Sequence, residues 1–223
     1  MSGATPGGLT VGIRPRERYG LVLILIFCAY VIGGFRDSDA ARLIGSVIWL
    51  LLLLTALWSP GIPARLRYIG VALTIALFVV AGVLLLSDSE TAYGVLLLLL
   101  AIVQLAAVVA ILARISQHGH VTAQTVMGAV AGYTLIGFAM AALYHGLEVL
   151  TEGPFLDGVV SPGDYTYFSF VTLTTVGYGD ITAASDLAKR LVVVEMLSGQ
   201  IFLITLVARL VSLWGRPLRG AAD

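Results

Sequence analysis

The stretch Thr174-Thr175-Val176-Gly177-Tyr178-Gly179-Asp180 constrains this chain more than any other. Glycines alternating with larger residues let an extended strand adopt backbone angles that most residues resist, so that successive carbonyls all point one way. The flanks define its setting. Upstream, Asp164 to Leu173 is too short to cross a bilayer but long enough for about three helical turns. Downstream, Leu187 to Trp214 is apolar and long enough to cross. A short helix, an irregular loop and a full span form a re-entrant hairpin. Irregular backbone at membrane depth is tolerated only where it lines a wet pathway or is buried in protein. Without these flanks, Gly-Tyr-Gly-Asp would suit an ordinary turn.

Composition agrees with a membrane setting. The chain is 59% hydrophobic and 12% charged, against roughly 25% charged for soluble domains. A formal net charge of zero argues against a nucleic-acid partner. Cys28 is the only cysteine, so an intrachain disulfide is excluded.

A span needs about 17–25 apolar residues, and the sequence predicts six: Tyr19–Phe35, Ala41–Trp58, Tyr68–Leu86, Ala92–Ile115, Thr125–Leu150 and Leu187–Trp214. The first is read as a retained helix and not a signal peptide, since Gly33-Gly34-Phe35-Arg36 is a poor cleavage site. With the N-terminus in the cytoplasm, Arg14, Arg16, Arg18, Arg65, Arg67, Arg114, Arg216 and Arg219 fall inside. The acids at Asp37, Asp39, Asp88, Glu90, Glu152, Asp157, Asp164, Asp180 and Asp186 fall outside. Arg36, Arg42, Lys189 and Arg190 are exceptions. Both termini are then cytoplasmic, and residues 1–13 and 216–223 read as short tails.

The segment from about Thr122 to Leu213 resembles the pore module of the tetrameric potassium channels: outer helix, turret, pore helix, filter and inner helix. The resemblance covers under half of the chain. Its central motif is specific, because Thr-Val-Gly-Tyr-Gly is that family's filter sequence. The resemblance implies an all-α membrane protein in which six transmembrane helices carry a re-entrant pore helix and filter loop between helices five and six. Four copies would form a homotetrameric pore in the plasma membrane, conducting K+ passively with no cofactor. The ion sites would be the carbonyls of Thr175, Val176, Gly177 and Tyr178, with the Thr175 hydroxyl, in a filter that includes Gly179. Filter support would come from Thr174, Asp180 at the outer mouth, and the aromatic pair Tyr167 and Phe168. Tyr167 would point its hydroxyl toward Tyr178. Val171 stands where some members carry a glutamate bonded to the filter aspartate, so Asp180 needs another partner.

The domain reading follows. Residues 14–116 form a peripheral four-helix domain and residues 117–215 the pore domain. The fourth span carries no basic residue between Ala92 and Arg114, so a voltage sensor is not expected: each charge moved across the field contributes only about 2.3 kcal/mol per 100 mV. Gln104, deep in that span, is read as an interhelical hydrogen bond.

Glu195 is the outlying residue of the last span, since carboxylates in hydrocarbon are costly and usually face protein. A protonated Glu195 would bond to Thr172 or Thr174 behind the filter, either as support or as a proton-linked gate. Gly199 is either a hinge or a close-packing position. Gln200 and Thr205 either line a cavity or pack between helices. Gly128 and Gly132 read as a packing groove, Arg209 as a side chain reaching the headgroups, and His118, His120 and His145 as solvated. Asp164 is a helix cap. No phosphate loop, nucleophile elbow or dinucleotide fingerprint is present, and no enzymatic activity is expected. The alternatives are a non-conducting or regulatory channel subunit, a potassium-transporter subunit, and a membrane protein in which the motif is an extracellular turn.

Overall fold

The computed structural model describes residues 19–33, 89–116 and 122–214, together with Arg65, Tyr68, Val71, Ala72, Thr74, Ile75, Ala76, Val79 and Val80, which are helical. Its elements are α1 (Tyr19–Gly33), α2 (Glu90–Ser116), α3 (Ala123–Leu150), β1 (Leu156–Asp157), α4 (Pro162–Leu173), β2 (Thr182–Ala183) and α5 (Asp186–Trp214). Among the described residues, three helices are long and apolar enough to cross a membrane: Glu90–Ala113, Ala123–Leu150 and Asp186–Arg209. The helix at Tyr19 is apolar but shorter. The described residues are therefore mostly helical, consistent with an all-α membrane protein. The expected second span, His118, His120 and both tails lie outside the described residues.

Helix α3 is the hub. It contacts α1, α2, α4 and α5, most extensively α2. Its start is fixed by a capping box in which Thr122 and Thr125 exchange hydrogen bonds with each other's backbone amides. Small residues let its neighbours close in. A β-carbon on Gly146 would lie 3.0 Å from the Gly94 carbonyl of α2, and one on Gly137 would lie 2.9 Å from the Phe170 ring of α4. Gly128 is similarly tight against Tyr19 and Ile115. Gly132 is not, its nearest neighbours lying at ordinary contact distance. Only half of the expected glycine groove is therefore close-packed, while Gly94, Gly137 and Gly146 add contacts that the sequence reading did not single out.

Three polar residues differ from expectation among the described residues. Arg209 does not simply extend toward headgroups: its Nη2 donates to the Ile115 carbonyl at 3.2 Å. It thereby caps the last turn of α2 and ties that end to α5. Gln104 is buried on α2, and its Oε1 accepts no hydrogen bond among the described residues. His145 is half-buried rather than solvated, stacked on Tyr165 with ring centroids 4.4 Å apart and edge-on to Tyr93.

Candidate ion pathway

Helix α4 is anchored at both ends. At its N-terminus Pro162 follows Ser161, and Asp164 accepts from the Val160 and Ser161 amides, each at 2.7 Å. These bonds, led by that from Val160, hold the Asp164 carboxyl below the usual carboxylate range. At its C-terminus the orphan carbonyls are taken up by the loop that follows. Thr174 N–H donates to Phe170 and Thr175 N–H to Thr172. Val176 and Gly177 N–H both reach the Val171 carbonyl, at 2.9 and 3.3 Å. The Thr174 hydroxyl turns back to Phe170 O at 2.6 Å.

The loop then alternates. Thr175, Gly177 and Gly179 have φ of 59°, 58° and 79°. Thr175 is the only non-glycine residue with positive φ among the described residues. A β-branched residue there is a steric outlier, and such strain concentrates at functional loops. Positive φ at every second residue sets this loop apart from a regular strand. The carbonyls of Thr175, Val176, Gly177 and Tyr178 accept no hydrogen bond among the described residues.

Asp180 follows the loop and ties it back to α4. It accepts from the Tyr167 hydroxyl at 2.7 Å and from the Ile181 amide. The Tyr167 hydroxyl thus goes to Asp180 and not toward Tyr178; the two tyrosine rings lie parallel with centroids 6.5 Å apart. Tyr167 is the partner that Val171 cannot be. Strand β1 pairs antiparallel with β2, Leu156 opposite Ala183 and Asp157 opposite Thr182. This joins the segment before α4 to the segment after the loop. Gly158, at φ 87°, lies under the Asp180 carbonyl with no room for a β-carbon.

The sequence reading missed Glu148. Its carboxylate accepts from Phe155 N–H at 3.3 Å and Leu156 N–H at 3.0 Å, holding β1 to the end of α3. Its position at the end of a span, just before a loop, was the available signal.

Behind the loop, α4 is wedged between α3 and α5. The Leu173 carbonyl accepts from the Tyr133 hydroxyl at 3.0 Å. Gly199 of α5 passes that same carbonyl. Helix α5 runs unbroken through Gly199, so the glycine serves close approach here. Phe168 is buried edge-on against Tyr144 of α3, centroids 5.5 Å apart. Glu195 is fully buried, but its partners are not Thr172 or Thr174. They are the Tyr144 hydroxyl at 2.6 Å and the Ser169 hydroxyl at 2.5 Å. The helical register explains the shift. Gly199 faces Leu173, so Glu195, one turn earlier, faces Ser169, one turn before Leu173. Gln200 and Thr205 are exposed on α5, and five residues apart they do not share one face.

The loop and its anchoring helix lie between two long apolar helices, α3 and α5. Residues 129–214 match the family model described as "Ion channel", less than half of the chain. The chain is also 32% identical over 63 residues to "Potassium channel K1" of Plasmodium berghei (strain Anka), a stretch covering 28% of this chain and 3% of that protein. No solved structure matches. These similarities support an ion channel family for the C-terminal segment and, with the apolar helices, a membrane protein.

Proposed function

We propose that this chain is a subunit of a potassium-selective channel that conducts K+ passively across the membrane. Four copies surround one axis. Each contributes one re-entrant loop between the fifth and sixth of six spans, with both chain ends on the cytoplasmic side. The observation that carries this reading is the alternating backbone of Thr175, Gly177 and Gly179 beside four carbonyls that accept no hydrogen bond among the described residues. Such oxygens, arrayed in rings, can replace the hydration shell of an ion. One chain supplies one strand of the array, so the site is complete only with copies. The outward face of α5 suits that assembly or lipid contact: Val193, Val194, Leu197, Ile201, Ile204 and Val207 are all exposed. The "Potassium channel K1" similarity points the same way.

The test is flux from proteoliposomes containing the purified chain alone. Potassium is expected to pass and sodium to be strongly disfavoured. Equal passage of both ions, or no flux, would overturn the reading; no flux would favour a non-conducting subunit.

A further inference from the structure

Glu195 is the one charged-type side chain fully buried among the described residues, and no ion pair neutralises it among them. The number of hydrogens around it defines its chemical state. Ser169 Oγ lies 2.5 Å from Glu195 Oε1 and 2.7 Å from the Gly137 carbonyl oxygen. A serine hydroxyl has one hydrogen, and a carbonyl has none. If Glu195 were a carboxylate, one hydrogen would have to serve two acceptors at short range. One oxygen pair would then face lone pair to lone pair in a buried site, a costly arrangement.

A carboxylic acid removes the conflict. Glu195 Oε1–H donates to Ser169, Ser169 donates to Gly137 O, and the Tyr144 hydroxyl donates to Oε2 at 2.6 Å. Every hydrogen is then used once. We propose that Glu195 is a neutral carboxylic acid, the central donor of a chain Tyr144 → Glu195 → Ser169 → Gly137 that joins α3, α4 and α5. It is a positioning residue. It holds Ser169 one turn before Leu173, while Gly199 receives Leu173 itself, so the two contacts fix both the height and the rotation of α4. Helix α4 in turn holds the loop amides through Val171 and Thr172. The consequence for conduction rests on the proposed pore, whereas the protonation state does not.

Infrared spectroscopy of the full-length protein in lipid reads the acid directly. Wild type is expected to show a protonated-carboxyl carbonyl band that Glu195→Gln lacks. Glutamine can donate to Ser169 and accept from Tyr144, so Glu195→Gln should keep the wild-type unfolding midpoint while Glu195→Ala loses it. Ser169→Ala removes the acceptor of the acid's hydrogen and should shift the band to higher frequency. The absence of the band in wild type, its survival in Glu195→Gln, or an unshifted band in Ser169→Ala would overturn the proposal. So would a Glu195→Gln protein as unstable as Glu195→Ala. If wild type showed the band and the glutamine rescue but carried no potassium flux, the pore reading would fail and this assignment would stand.

Discussion

Gly199 and the Leu173 carbonyl approach so closely that a β-carbon on residue 199 would lie 2.7 Å from the oxygen and 2.8 Å from Leu173 Cδ1. The oxygen belongs to backbone already held by Tyr133, so it has little freedom to retreat. Gly199→Ala is therefore expected to force α5 and α4 apart and destabilise the protein by about 1–3 kcal/mol. Thermal unfolding in detergent checks this. A fully stable Gly199→Ala protein with altered gating would instead favour the hinge role.

The Tyr167–Asp180 hydrogen bond should make the end of the loop pH-sensitive in a defined direction. The Tyr167 hydrogen bond is the first cause holding the Asp180 carboxyl below the usual carboxylate range, and it raises the Tyr167 hydroxyl to about 12. A carboxyl lowered in the folded loop favours that loop at pH above its ordinary value. The benefit disappears as pH falls through the lowered value. In the proposed channel, potassium flux through the wild type should therefore survive acidification on the Asp180 side to lower pH than flux through Tyr167→Phe. Identical acid profiles would remove Tyr167 from this role.

Glu148 should matter more than its position at a helix end suggests. Glu148→Ala leaves the amides of buried Phe155 and Leu156 without their acceptor. Each buried donor left unsatisfied costs about 1–3 kcal/mol. The exposed-side cap at Asp164 is worth about 1 kcal/mol by comparison. Urea unfolding of Glu148→Ala and Asp164→Ala should rank them in that order; the reverse order would show that water replaces the Glu148 carboxylate readily.

These residues also mark where sequence reading succeeds and stops. Helix extents were legible because apolar runs and breaks set them: Thr125–Leu150 was expected and α3 spans Ala123–Leu150; Leu187–Trp214 was expected and α5 spans Asp186–Trp214. The loop motif announced its own backbone. Partners across helices were not legible, because a uniformly apolar helix gives no phase from its sequence. Glu195 was expected to reach Thr172 or Thr174, and only the Gly199–Leu173 contact fixes the rotation that brings it to Ser169. Tyr144 gave no signal at all, since a tyrosine in an apolar run looks like any packing aromatic. The same limit hid the contact of Arg209 with Ile115, 94 positions away.

The last prediction concerns voltage. A span that senses the field must move several charges through it, each contributing about 2.3 kcal/mol per 100 mV. Helix α2 runs from Glu90 to Ser116, and Arg114, in its last turn, is its only basic residue. Its core-facing positions Ala101, Ala107, Val108 and Ile111 are apolar and buried, and close contact at Gly94 and Gly146 ties its N-terminal end to α3. At its other end Arg209 holds the Ile115 carbonyl. A helix with almost no charge to move and fixed at both ends can contribute little gating charge. Current through the purified protein should therefore follow voltage with a shallow conductance curve, equivalent to less than about one charge per subunit. Arg209→Ala should loosen the α2–α5 tie and change open probability without steepening that curve. A steep curve in wild type would mean that charges on other segments sense the field.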